Sequence, residues 1–515
     1  LSHYNLATGQ QAKGDLRSAL ANLERALVLE PRLAEAWFVR GNILQQAERW
    51  QQSVENYTRA VQLRPSFPEA FNNLAAAQRA LRQLAAAHHS ADRALTLQPR
   101  YAKAFNNRGL ILLDGGSIGA AADDFRRALA IDANLAEAWH NLGTALMQLR
   151  QFAQARDVFL RLLEVAPGFR HAAGNLLSAQ MSCCDWRGFD ASARRVQQGV
   201  ERGEHAALPV TFLSICGSAA LQRRCAGLYA DTHFPAREPM SAADARGRHD
   251  KIRVAYLSGD LGEHAVTYLL AGVFERHDSS RFETIAVSWD RRSPSPARRR
   301  VESAFSRFID VTSSSDAEVA RLVRDADVDI AVDLMGHTLG QRTGILARRP
   351  APLQVNFLGL PATMGTHYID YLIADRYVVP PADSAHYAER IVRLPGSFQP
   401  NDDARSFCAD GQPRGAYGLP DDALVLCCFN RNNKLTPACF DVWMRLMARV
   451  PDGVLWLLAT DPVAADNLRR EAEARGVAAH RLIFGAEEPY DAYLARYRHA
   501  DLFLDTAPFN GGATV

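Results

Sequence analysis

The chain has no run of about 18 apolar residues, so no membrane-spanning helix is expected. It has no charged-then-apolar leader, so no secretory signal is expected either, although Leu1 rather than Met opens the sequence. Neither sign of charge is in excess: 59 Lys and Arg stand against 57 Asp and Glu, a formal net charge of +2. That is too little to make nucleic acid or an anionic membrane a general partner. Cysteine is scarce, eight in 515 residues. Cys183, Cys184, Cys216, Cys225, Cys408, Cys427, Cys428 and Cys439 form neither a C-x-x-C pair nor a metal-type Cys/His spacing. Two adjacent pairs in apolar surroundings read as small buried hydrophobes in a reducing compartment, which points to the cytoplasm.

What is present is first a repeat. Pro31, Pro65, Pro99 and Pro167 fall on one 34-residue period, with Ala133 in the missing turn, and Trp37, Phe71, Phe105 and Trp139 share it. So do Ala26, Ala60, Ala94 and Ala128. A proline between units, an aromatic opening the first helix and a small residue on the second make the tetratricopeptide pattern of paired antiparallel helices. Five units and a fragment are expected over residues 1–182, stacked into a superhelix with a concave face. Asn5, Asn73, Asn107, Asn141 and Asn175 also keep the period, interrupted at Val39. A ladder of carboxamides can pair with the backbone of an extended peptide without reading its sequence. The same repeats are a candidate surface for a homodimer.

Residues 183–250 read as a helical linker, and from Ile252 the period changes. Strands are expected at Ile252–Leu257, Thr284–Trp289, Phe308–Val311, Asp329–Leu334, Gln354–Leu358, Tyr371–Ala374 and Ile391–Leu394, alternating with helices such as Asp316–Arg324. This alternation implies a parallel sheet covered on both faces, here over residues 251–400. A second series over 401–515 has strands at Ala423–Phe429, Val454–Ala459, Arg481–Phe484 and Leu502–Asp505. It ends in the glycine loop Asn510-Gly511-Gly512-Ala513-Thr514-Val515, with no helix after it, so this lobe reads as incomplete at its carboxyl end.

Ligands of such sheets sit at the carboxyl ends of strands. The loop Phe429-Asn430-Arg431-Asn432-Asn433-Lys434 presents an ammonium there, suited to a diphosphate whose charge grows as it departs. His264 and His337 each follow a strand, where imidazole can exchange protons near neutral pH. The acidic stretch Asp325 to Asp329 precedes its strand, at the wrong end for a ligand, and no metal is expected.

These motifs together resemble the O-linked N-acetylglucosamine transferase family, tetratricopeptide-bearing glycosyltransferases of GT-B fold that include the plant SPINDLY proteins, and a bacterial member in particular. The resemblance rests on the asparagine column, Cys184-Asp185-Trp186, Gly259 to His264, Asp333 to Thr338, Arg349 to Gln354, Gly365 to Asp375, Leu394 to Asp402, Phe429 to Lys434, Leu504-Asp505-Thr506 and Asn510-Gly511-Gly512. It implies two Rossmann-like lobes after the repeats and an inverting, metal-independent transfer of N-acetylglucosamine from a uridine diphosphate donor to Ser/Thr hydroxyls of proteins. A SPINDLY-like transfer of fucose from a guanosine diphosphate donor and a catalytically weak peptide-binding scaffold are the alternatives. By the same resemblance Lys434 binds the diphosphate, His264 sits near the reacting centre and His337 lines the acceptor side. Gln399, Pro400 and Asn401 border the donor cleft, and Asn510, Gly511, Gly512, Ala513 and Thr514 cradle phosphate through backbone N–H groups. Arg431 stands where animal members carry glutamine, and Tyr493 where a histidine packs on the base.

Overall fold

The computed structural model describes residues 1–240, 249–290, 295–404, 412–458 and 461–512. The chain divides into two compact units, Leu1–Phe169 and Arg170–Val515.

The first unit is five helix pairs: Ser2–Ala12 with Leu16–Leu29, Ala34–Gln46 with Trp50–Leu63, Pro68–Ala80 with Leu84–Leu97, Ala102–Asp114 with Ile118–Ile131, and Ala136–Gln148 with Phe152–Val165. The turn inside each pair passes through one left-handed residue, at Gly14, Glu48, Arg82, Gly116 and Arg150, again 34 residues apart. The small column lets helices approach: Ala26, Ala60, Ala94 and Ala128 are at most 2% exposed. A second small column faces rings, and a Cβ added at Gly109 would lie 2.5 Å from Phe125. The aromatic column also holds the joints between units, Trp37 donating through Nε1 to Pro31 O at 3.0 Å and Trp139 to Ala133 O at 2.8 Å.

The helix Ala172–Ser182, which the period assigns to the end of the array, belongs to the second unit. Its Leu177 and Met181 pack with Val196, Val200 and Phe212 of the helices that follow rather than with a stacked repeat. The segment after it reaches both sheets. Trp186 packs edge-on against Phe440, and Asn467 donates to Cys183 O at 2.7 Å. Further along, Phe234 O accepts from the Tyr368 hydroxyl at 3.0 Å.

Eleven strands make two sheets among the described residues. Strands β1 (Ile252–Ser258), β2 (Phe282–Ser288), β3 (Arg307–Asp310), β4 (Ile330–Asp333), β5 (Leu353–Phe357), β6 (Tyr371–Ala374) and β7 (Arg390–Arg393) form the first, in order β3-β2-β1-β4-β5-β6-β7. Strands β8 (Val425–Cys428), β9 (Val454–Leu458), β10 (Leu482–Gly485) and β11 (Leu502–Phe503) form the second, in order β10-β9-β8-β11. All pairings are parallel. Each sheet reverses its order once, between β1 and β4 and between β8 and β11, and a crevice at such a switch point is where ligands enter this class of fold. No helix among the described residues is long and apolar enough to cross a membrane.

Candidate active site

The loops that carry the expected residues are those at the two switch points. In the second sheet β8 is wholly buried and hands the chain to Phe429, which is wedged edge-on against Trp456 at 4.9 Å. Asn430, 6% exposed, donates to Asp505 Oδ1 at 3.0 Å and to Thr506 Oγ1 at 2.9 Å, which ties the loop after β8 to the loop after β11. Asp505 is the hub of that second loop, accepting also from Thr506 N and Gly511 N, each at 2.7 Å, and from Asn510 Nδ2 at 3.1 Å. The turn Asn432–Lys434 then aims Lys434 across it, its Nζ donating to Asn510 O at 2.7 Å and lying 3.9 Å from the Phe509 ring centroid. Burial pulls the Lys434 ammonium from its ordinary 10.5 down to about 8, against the opposing pull of Asp505.

Gly511 was expected to offer its N–H to phosphate, but that N–H is donated to Asp505. The loop is instead held in shape by its own carboxylate. Ala513 and Thr514 lie outside the described residues. Gln399, half-buried, reaches from the first lobe toward the same loop, its Nε2 3.5 Å from Gly512 O. Pro400 is half-buried beside it, and Asn401 and Arg431 are exposed.

In the first sheet, His264 follows β1 and caps the helix Ala265–Glu275. Its Nδ1 lies 3.3 Å from Val266 N and 3.6 Å from Asp260 Oδ2, between a donor and an acceptor. Because Nδ1 accepts the Val266 N–H in capping the helix, the neutral ring carries its proton on Nε2. His337 follows β4 but does not line an open surface. It is 3% exposed, donates through Nε2 to Met364 O at 2.9 Å and places Nδ1 3.1 Å from Gln341 Oε1. Gln341 in turn donates to the Tyr229 hydroxyl, and burial lowers the imidazole pKa. His337 thus shapes the strand-end loop from within, because a polar ring that deep must spend both nitrogens on the fold. Beside it Asp333 accepts from Met335 N, Gly336 N and Asn356 Nδ2, and burial raises its carboxyl to about 6.

Tyr493 stands on the short helix Tyr490–Ala495. Behind it Arg496, 1% exposed, sits 4.5 Å from the Tyr493 ring and 3.9 Å from Phe429 while donating to Ala486 O at 3.0 Å. The lobes meet above this point, Tyr268 lying flat on Tyr490 at 3.8 Å. Asp505, Arg496, Tyr268 and Tyr490 were not picked out as site residues from sequence, although Tyr490 lies one helical turn before Tyr493. Among the described residues no group of three or more His, Cys, Asp or Glu is placed to hold a metal ion.

The asparagine column has a use inside the array. Asn73 donates to Asn42 Oδ1 at 2.9 Å, Asn107 to Asn72 Oδ1 at 2.8 Å and Asn141 to Asn106 Oδ1 at 2.9 Å, so each amide laces its unit to the preceding one. One N–H of each is thereby spent. Asn175 is in the second unit and 9% exposed, so it is not part of a ladder on the array.

Two parallel-sheet lobes, each with one switch point, preceded by tetratricopeptide repeats, define a repeat-bearing protein of GT-B fold. Repeat descriptions match residues 41–81, 109–149 and 136–169. The description of glycosyltransferase family 41 matches residues 229–409 and 412–515, and the chain belongs to that family. It is 32% identical over 293 residues, 56% of its length, to the Arabidopsis thaliana protein named probable UDP-N-acetylglucosamine–peptide N-acetylglucosaminyltransferase SEC. It is 23% identical over 459 residues to the corresponding Caenorhabditis elegans enzyme. The chain spans 30% and 40% of the lengths of these relatives. Among solved structures, the O-GlcNAc transferase of Thermobaculum terrenum superposes with TM-score 0.61 at 29% identity, over 86% of this chain and 79% of that one.

Proposed function

We propose that the chain binds a nucleoside-diphosphate sugar between its two lobes and transfers the sugar, with inversion, to Ser or Thr hydroxyls of a protein recruited by the repeats. The observation that carries this reading is Lys434. Among the described residues this ammonium, with three donors, has one backbone acceptor, at 2.7 Å, and burial loosens its hold on its proton. A diphosphate supplies an anion to it, and its departure is stabilised by the same group. His264, held at the helix start beside Asp260, positions the acceptor hydroxyl, and in-line geometry does the rest. Lys434 carries the leaving-group charge in this reading, with no metal step invoked. Tyr493, fixed from behind by Arg496, offers its ring to the donor base. The asparagine column contributes its remaining hydrogen-bonding capacity to a bound peptide.

Uridine diphosphate N-acetylglucosamine is the donor favoured by the names of the relatives, SPINDLY proteins at 27% identity included. Guanosine diphosphate fucose is the second reading, favoured by Arg431 and Tyr493, which depart from the animal pattern. Incubation with labelled forms of both donors and a peptide library decides the matter. Label must reach a hydroxyl with the wild-type chain and not with Lys434→Ala; label from neither donor, or label insensitive to Lys434, ends the proposal.

A further inference from the structure

Arg40 stands at a helix position that holds leucine in three other units, as Leu6, Leu74 and Leu142, and arginine again at Arg108. The two arginines end differently. Arg108 is closed off by the chain's own carboxylates: Nε and Nη2 donate to the two oxygens of Asp124 at 2.6 and 2.8 Å, and Nη1 to Asp92 at 2.8 Å. Two periods earlier the register puts Asn56 in the place of Asp124 and Glu24 in that of Asp92. Arg40 keeps only the second of these, its Nη2 3.4 Å from Glu24 Oε1, and its buried Nε has no hydrogen-bond partner among the described residues. Asn56, 5% exposed, sends Nδ2 back to Gln52 O at 2.7 Å, which leaves its buried Oδ1 without a partner as well. The repeat does not demand this. Polar residues on the register of Asn56 are satisfied elsewhere: Asn22 meets His3 Nδ1 and donates to Gln10 Oε1, both at 2.9 Å, and Ser90 donates to Gln78 Oε1 at 2.7 Å. Arg40 and Asn56 together line a cavity of about 210 Å³, several times the share of one water, which is about 30 Å³.

We propose that this niche between the first two helix pairs binds a carboxamide, the side chain of an Asn or Gln on a partner protein. A carboxamide carries an acceptor and donors on one flat group. Its oxygen accepts from Arg40 Nε while its N–H donates to Asn56 Oδ1, so both orphans are satisfied at once. The charges lining the niche cancel, Arg40 and Arg49 against Glu24 and Glu55, which favours a neutral guest over an ion. A carboxylate would also set its lone pairs against Asn56 Oδ1. Trp37 and Leu44 supply apolar wall for the methylenes of the guest. The proposal rests on the reading of the repeats as the recruiting surface only for what carries the carboxamide. In that reading the asparagine column holds any extended backbone, and the niche adds a preference for what the backbone carries.

Titration of the whole chain with the N-acetyl methylamides of glutamine and asparagine tests this, followed at the Trp37 indole N–H and assigned by the loss of that signal in Trp37→Phe. Both amides should give a saturable shift, the tighter of the two identifying the side chain. The glutamate and methionine analogues, which keep the backbone amides and lose the carboxamide, should bind about tenfold more weakly. Asn56→Asp rebuilds the arrangement around Arg108. It should abolish binding while raising the melting temperature of the array by about 2–4 °C, so that lost binding is not lost fold. Arg40→Leu, which installs the side chain that Leu74 and Leu142 carry at this position, should abolish binding too. No saturable shift with either amide, equal or higher affinity for the glutamate or methionine analogue, or binding that survives Asn56→Asp leaves a niche for water only and overturns the proposal. If it falls while sugar still reaches protein hydroxyls, the proposed function stands without it. If the amides bind and no sugar is transferred, the niche stands and the transfer reading falls.

Discussion

The array and the α/β unit bury polar groups by opposite means. In the array partners are near in sequence: Arg108 reaches Asp124 and Asp92, each 16 residues away, at 2.6–2.8 Å. In the α/β unit they are far apart: Asn430 meets Asp505 across 75 residues and Lys434 meets Asn510 across 76. Damage to an array contact should therefore stay within a unit or two. Damage to a strand-end contact should reach the chemistry.

The widest gap between the two regions is expected from Lys434→Met. Sugar transfer should fall by about 10²–10³ while the melting of the array is unchanged, and a rate assay beside calorimetry measures it. Asp124→Ala should do the reverse. It leaves the half-buried Arg108 without its closest carboxylate, whose side chain is 3% exposed, and costs about 3 kcal/mol of array stability with the α/β transition unmoved. Gly109→Ala pushes a methyl into Phe125 and should cost about 1–3 kcal/mol, again seen only in the array transition. Asn107→Ala removes one side-chain hydrogen bond between units, about 1 kcal/mol, and hydrogen exchange should show the loosening confined to the helices around Asn72 and Asn107.

The last effect is one of pH. The Lys434 pKa is lowered on folding, so below about 8 the folded chain holds a charge it would rather release, and it gains stability as pH rises from about 8 toward 10.5. A bound diphosphate reverses the preference, so donor affinity should fall over the same rise. Lys434→Met should flatten both slopes in parallel titrations. If the slopes survive that substitution, the group responsible lies elsewhere.

Much of the architecture was open to inspection in the sequence. Each of the eleven expected strands has its counterpart within two residues at nearly every boundary, as at Tyr371–Ala374, because a buried parallel strand needs a continuous apolar run wherever it lies. The 34-residue period was equally plain, since each unit must present the same faces to its neighbours. The helix Ala172–Ser182 shows the limit: it keeps the period, with Asn175 in column, yet packs on the helices after it. Among candidate site residues, Lys434 could be named in advance because it closes the loop after a buried parallel strand, where ligands of such sheets sit. Asp505 could not, because an aspartate after a strand says nothing of the four donors it will meet.

By itself the sequence determined the repeat, the order and place of the strands, and the loops that follow β1, β4, β8 and β11, for these depend on backbone periodicities intrinsic to each short segment. Only the tertiary structure decided that His337 turns inward to Met364, that the asparagine column laces unit to unit, that the Gly511 N–H belongs to Asp505, and that Tyr268 of one lobe lies on Tyr490 of the other. A polar atom takes whatever partner folding brings within about 3 Å, and that partner comes from a segment whose distance along the chain no local pattern records.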